Sequence, residues 1–241
     1  ENKYYNFRGL NLCIETLDGL IKHNGPLNST DKIDLIIGKN YFKKKIKFHK
    51  QPTLEAQIAS ISDDIAYNSH DLEDGLKANL FTINDLKYIP VLSDIIKIHE
   101  KRTNKLNQDL FIRQIVREII DVMVKDIIYS IKKNIRINNI KTINDIYNLN
   151  KAIVTFSSEM NLFNILIKRF LKKNMYLNKD IQKKTNQGKK IIKKLFLYVN
   201  KNPKKFFLTK NLNKKPKNRI VCDFIAGMTD RYAIELYKKI K

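Results

Sequence analysis

Between residues 54 and 76 the aliphatic side chains Leu54, Ile58, Ile61, Ile65, Leu72 and Leu76 recur at intervals of three, four or seven. At about 100° per residue they fall within a stripe roughly 60° wide, the mark of one buried helical face. Related patterns occupy most of the chain. Residues 10–23 place Leu10, Cys13, Ile14, Leu17, Leu20 and Ile21 at helical spacing before Asn24-Gly25-Pro26 stops them. Residues 104–133 continue through Leu106, Leu110, Ile115, Ile119, Ile120, Met123, Ile127 and Ile131. Further helices are expected from the caps at Ser157-Ser158-Glu159 to about Tyr176, then over 179–200 and 218–240. Thr82 with Asp85 marks another start, kinked or divided by Pro90. No segment sustains period-two alternation, and 7 Gly and 5 Pro among 241 residues are too few for many tight turns. The predicted fold class is all-α, with residues 28–50 and their run KKKIKFHK as a loop or insertion.

The helix at 54–76 is also chemically odd. The chain carries 47 Lys and Arg against 24 Asp and Glu, a formal charge of +23, yet no cation lies between residues 51 and 76. Glu55, Asp63, Asp64, Asp71, Glu73 and Asp74 gather there. Opposite the aliphatic stripe runs a ridge of Asp63, Tyr67, His70, Asp71 and Asp74. Asp63, Tyr67 and Asp71 follow at i, i+4 and i+8, about 6 Å per step, so they line a groove about 12 Å long. A solvated acidic face is one reading of that pattern. The other is a site that holds a hard cation on a carboxylate and stacks a flat or cyclic ligand on Tyr67. His70-Asp71 lies about 10 Å along the axis from Asp63, too far for ligands of one ion. His23, His49 and His99 form no recognisable ligand motif.

Cys13 and Cys222 show no metal spacing and are expected to be buried thiols of a reducing compartment. No apolar run approaches the roughly 20 residues of a membrane span. Residues 1–9 lack the apolar core of a signal peptide, which points to a cytoplasmic setting. A first residue Glu1 in mid-pattern suggests a fragment. The positive charge invites a nucleic-acid partner, although evenly spread lysines also suit solvated faces.

Three stretches together resemble the HD-domain deoxynucleoside triphosphate triphosphohydrolases, the dGTPase and dGTPase-like family: GLNLCIETLDGLIKHNGPL (9–27), LEAQIASISDDIAYNSHDLEDGL (54–76) and VCDFIAGMTDRYA (221–233), with TFSSEM (155–160) in order between them. The resemblance implies an HD-domain, phosphodiesterase-like helical fold whose N-terminal part is absent. It also implies a single helical unit over 1–241, with residues 1–100 ending the catalytic core and 101–241 forming a C-terminal helical part. The implied activity is metal-dependent hydrolysis of a deoxynucleoside triphosphate to deoxynucleoside and inorganic triphosphate. On the motif SDDIAY, Asp63 is implied as a ligand of a divalent metal ion such as Mg or Mn. Tyr67 is implied to pack on the deoxyribose, Asp71 to accept from the sugar 3′-hydroxyl, and Lys22 in IKHNGP to meet the triphosphate. Arg231 could pair with phosphate, or form a structural salt bridge to Asp230 or Glu235. The family's first His, its His-Asp pair and its catalytic His and Glu are expected upstream, so no catalytic residue is assigned here. A homo-oligomer and single-stranded nucleic acid are implied partners. The rival expectations are a basic helical nucleic-acid-binding module and a noncatalytic homologue.

Overall fold

The computed structural model describes residues 5–6, 9–37, 45–102, 107–207 and 216–240, and all regular secondary structure among them is helical. The chain is all-α as expected. Its helices are α1 (Ile14–Ile21), α2 (Asp31–Ile37), α3 (Leu54–Lys77), α4 (Ile83–Leu86), α5 (Pro90–Arg102), α6 (Gln108–Ile137), α7 (Ile143–Tyr147), α8 (Ser158–Leu171), α9 (Lys179–Lys201), α10 (Lys217–Ala226) and α11 (Asp230–Lys239). A π-helical turn, Lys172–Tyr176, follows α8, and a 3-10 turn, Pro203–Lys205, follows α9. No helix among the described residues is long and apolar enough to cross a membrane.

Local chemistry sets the helix ends. Thr53 caps α3 by accepting from the Ala56 amide at 3.3 Å. At the other end Asn79 takes φ 54°, the Asn79 amide donates to the Leu76 carbonyl, and the Leu80 amide to that of Gly75. Helix α6 stops in the same way, with Asn139 at φ 47° and the Ile140 amide bonded to the Ile135 carbonyl. A short side chain that tolerates the left-handed region makes both stops possible. The stop at Asn139 carries α6 beyond the expected end at 133, while Leu106 lies outside the described residues. Pro90 divides the 82–102 stretch, because proline is well suited to the first turn of a new helix.

The chain divides into two compact units, residues 1–172 and 173–241. Residue 100, the expected division, falls inside α5. In the first unit α3 packs against α1, α6 and α8, and α5 packs on α6. Ile65, Leu72 and Leu76 of α3 meet a core that includes Ile115, Ile119 and Met123 of α6 and Phe163 and Ile167 of α8, all buried. The second unit closes α9, α10 and α11 around Ile191, Leu195, Val199, Val221, Ile225 and Ala233.

The buried face of α3 is wider and more polar than its aliphatic stripe. Gln57, Asn68 and Ser69 are buried beside Leu72, whereas Ile58 is 38% exposed. The Gln57 amide donates to the Pro52 carbonyl at 2.9 Å and accepts from the Ile153 and Val154 amides at 2.8 and 3.2 Å. Asn68 donates to Asn164 of α8 at 2.9 Å. These bonds fix the rotation of α3 more tightly than aliphatic packing alone, since a small turn of the helix would strand buried polar atoms.

The thiol expectation is corrected. Cys13 and Cys222 are both exposed. Cys13 sits at the N-cap of α1 with its Sγ 3.0 Å from the Thr16 hydroxyl. On α10, Val221 and Ile225 fill the core and leave Cys222 outside. Two elements escape the periodicity reading. Helix α2 lies inside the expected loop, and α7 lies in a stretch with no expected helix. Both α4 and α7 open on Thr-Ile-Asn-Asp, with the Thr as N-cap and the Asp carboxylate accepting from the Thr backbone amide, at 2.7 Å in each case.

Candidate functional site

Two close approaches build the site around α3. Gly19 lets α1 lie directly on α3, because a Cβ there would come within 3.0 Å of the Ala56 Cβ. The turn after α1, with Gly25 at φ 99°, then passes over the ridge of α3. Its His23 brings Nε2 to 3.8 Å from Oδ2 of Asp63.

The ridge carries three of the expected residues in register. The Asp63 side chain is 75% exposed and Tyr67 is 57% exposed, while Asp71 is half-buried one further turn along. Neighbouring carboxylates are already committed to cations. Lys168 of α8 donates to Asp64 at 2.7 Å, and Lys77 donates to Glu73 at 2.5 Å. The hydrogen bond from Lys77 holds the Glu73 carboxyl below the usual carboxylate range, outweighing the opposing effect of desolvation. The ridge is therefore not uniformly acidic: Asp63 faces an imidazole, and the adjacent Asp64 is neutralised.

Two cavities flank the His23 turn. The larger, about 510 Å³, is lined by Glu15, Leu20, Glu55, Ala56 and Ile143 among others. The smaller, about 300 Å³, has Asn24, Gly25, Gln51, Ser60 and Asp64 in its wall. His23 lines both; Asp63, Tyr67 and Asp71 line neither.

Lys22 points away from this surface. It is 1% exposed, with Nζ 2.7 Å from Oδ1 of Asp18 and 5.7 Å from the centre of the Tyr147 ring. Burial, and after it the Asp18 carboxylate, raises the Tyr147 phenol above its ordinary range. Lys22 is therefore a buried, paired cation and not a solvated one. Arg231, on α11 of the second unit, donates to Glu235 at 3.1 Å with a side chain 90% exposed, matching its structural alternative.

No group of three His, Cys, Asp or Glu among the described residues could hold a metal ion. The exposed Asp63 carboxylate, with an imidazole beside it, would fit a share of a divalent centre and not the whole of one. Sequence reading set His23 aside because no spacing motif includes it. The signal that could have found it was Gly19, the small residue that lets the helix before IKHNGP approach α3.

Comparison with known proteins finds relatives of this sequence. Residues 154–239 match the family described as phosphohydrolase-associated domain, HD-associated. A deoxyguanosinetriphosphate triphosphohydrolase-like protein of Pelagibacter ubique is 48% identical over 240 residues, covering 100% of this chain and 64% of the relative. Similarly named proteins of Bartonella quintana and Caulobacter sp. are 36% and 34% identical, each over 100% of this chain and 62% and 63% of their own lengths. The chain thus spans a little less than two thirds of the curated relatives it matches.

Proposed function

Because the chain belongs to the deoxyguanosinetriphosphate triphosphohydrolase-like family, we propose that the whole protein hydrolyses a deoxynucleoside triphosphate to deoxynucleoside and inorganic triphosphate. The observation that carries this reading is the row of exposed Asp63 and Tyr67 and half-buried Asp71 on one rotationally fixed helix, with His23 at its head. Its length of about 12 Å suits a nucleotide sugar and its first phosphate.

In this reading Asp63 is the chain's own metal ligand. The remaining ligands, a His and a His-Asp pair, come from a part of the whole protein outside this chain. A divalent ion held there would polarise the α-phosphate and lower the pKa of the attacking water. Tyr67 presents a ring face to the deoxyribose, and because the ring is rigid it costs little conformational entropy on binding. Asp71 accepts from the sugar 3′-hydroxyl, and half-burial strengthens that bond relative to one made in open water. Asp64, neutralised by Lys168, adds little repulsion against the phosphates.

The second unit supports a further partner, single-stranded nucleic acid. Residues 173–241 carry 20 Lys and Arg against 4 Asp and Glu, a formal +16 of the chain's +23. Lys179, Lys183, Lys190 and Lys194 fall on one side of α9 over about 22 Å, a linear array suited to successive phosphates. A homo-oligomer and a cytoplasmic setting, where nucleotide substrates are found, complete the reading.

The test is product identity. The whole enzyme incubated with dGTP and a divalent metal should yield deoxyguanosine and tripolyphosphate by phosphorus NMR. Release of pyrophosphate with the monophosphate, or no turnover at all, would reject the proposal.

A further inference from the structure

We infer that the buried amide pair of Asn68 on α3 and Asn164 on α8 positions the sugar end of the ridge, so that discrimination between deoxynucleoside and ribonucleoside triphosphates depends on two residues that lie behind the site. The inference rests on the reading that lays a nucleotide along Asp63, Tyr67 and Asp71.

Helix α8 meets α3 through two polar rungs. Asn68 donates to Asn164 at 2.9 Å, and Lys168 donates to Asp64 at 2.7 Å. One turn forward on α8 therefore meets one turn back on α3, so the two helices run antiparallel and the rungs stand about 6 Å apart. Each rung comes one residue after a member of the ridge. Asp64 follows Asp63, and Asn68 follows Tyr67.

The rungs are unequal. The side chains of Asp64 and Lys168 are 52% and 45% exposed, so water can replace either partner at small cost. Asn68 and Asn164 are 3% and 8% exposed, and breaking their bond strands a buried amide. Ser69, fully buried beside Asn68, has a hydroxyl with no hydrogen-bond partner among the described residues and adds no second pin. Gln57 is fixed at the other end of the buried face, eleven residues back and about 16 Å along the axis.

Without the amide pair, the sugar end of α3 is held by the packing of Leu72 and Leu76, and packed helices scatter by about 15–20° around their preferred angles. For a side-chain tip 5–6 Å from the helix axis, a rotation of about 20° is a displacement of about 2 Å. A misplacement of about 1 Å is enough to cost a site about 100-fold. Tyr67, next to the pin, and Asp71, one turn further on, would carry that displacement to the sugar. An apolar surface rejects an added hydroxyl by only about 100-fold at best, so a small shift of the Tyr67 ring removes much of the discrimination against ribose.

The experiment measures binding of dGTP and GTP to the whole enzyme by calorimetry with magnesium present, alongside turnover of both. The parent should prefer dGTP. Asn68→Leu should lower the melting temperature by stranding the Asn164 amide, and should cut the preference by about 10-fold. The double variant Asn68→Leu/Asn164→Leu removes both polar groups, so it should recover most of the melting temperature while the preference stays low. Asn164→Asp keeps an acceptor for the Asn68 amide and should hold the preference within about threefold of the parent. Magnesium affinity should stay within about threefold in the folded variants, because the rung beside Asp63 is kept.

If the double variant folds and keeps the parent's preference, the inference is overturned and the functional reading survives. Equal loss of dGTP and GTP binding, restored together with the melting temperature in the double variant, would make the pair purely structural and overturn the inference too. A parent that prefers dGTP, loses that preference in the double variant and yet releases no tripolyphosphate would leave the pin standing and reject the hydrolase reading. A parent that binds both nucleotides alike would overturn the inference alone, and one that binds neither would reject both.

Discussion

Helices α3 and α9 have nearly the same length, 24 and 23 residues, and each turns aliphatic side chains inward, yet they are positioned by different means and charged oppositely outside. The inner face of α3 mixes Ile65, Leu72 and Leu76 with Gln57, Asn68 and Ser69, and the Gln57 and Asn68 amides bond to particular groups on neighbouring segments. The fully buried residues of α9 are Ile191, Leu195 and Val199, with Phe196 packed against the same core, and residues 183–190 are exposed on every side. Aliphatic packing tolerates small rotations of a helix, whereas a buried amide with a fixed partner does not. A row of side chains that must address one small molecule needs the second kind of support. A row of lysines that addresses a flexible polyanion needs only exposure and charge.

The largest effects should come from the two cores. Leu72→Ala and Leu195→Ala each remove a fully buried side chain, at 1% and 0% exposure, and each should cost about 2–5 kcal/mol by chemical denaturation. Leu72→Ala should also disturb substrate binding through the ridge, while Leu195→Ala should leave dGTP turnover within about threefold once the protein is folded. Equal loss of turnover in both would erase the contrast.

Gly75→Ala sharpens the comparison further. A Cβ there would meet the Phe81 ring, which itself stacks edge-on against Phe170 with centroids 4.7 Å apart. The expected cost is about 1–3 kcal/mol, partly relieved by Phe81→Leu. The all-exposed Gly188 of α9, with no atom within 4 Å of a Cβ, should instead accept alanine with a gain of up to about 1 kcal/mol. Thermal melts of the two variants should move in opposite directions.

The smallest effect on stability belongs to the lysine row. Lys179→Gln, Lys183→Gln and Lys190→Gln together should change stability by less than about 0.5 kcal/mol per site, since none packs in the core. The same triple variant should lower the salt dependence of binding to a single-stranded oligothymidine by about 2 in log–log slope, roughly 0.7 for each phosphate no longer neutralised. An unchanged slope would make these lysines solvated surface and nothing more.

Much of this was legible in the residues. The period of Leu54 to Leu76 placed the stripe and the opposite ridge within one helix, because apolar spacing reports which side of a helix is dry. The amides on the same buried face were not legible, since nothing in the sequence pairs Gln57 with Pro52, Ile153 and Val154, or Asn68 with Asn164. Cys13 and Cys222 misled for the converse reason: an apolar thiol at a helical position need not face the core. Lys22 and His23 are adjacent in sequence and opposite in direction, and no pattern in IKHNGP says which one turns inward. That depends on Asp18 one turn earlier and on Tyr147, more than a hundred residues away.

The central claim is that the carboxylate of Asp63, alone among the exposed acids of its ridge, anchors the metal. The direct measurement is release of tripolyphosphate from dGTP by the whole enzyme carrying Asp63→Ala, beside the same enzyme carrying Asp74→Ala, an exposed acid three turns further along. The account predicts a fall of about 1,000-fold or more for the first, with metal affinity falling in parallel, and a change within about threefold for the second. Comparable rates for the two variants, or full metal binding without the Asp63 carboxylate, would contradict it.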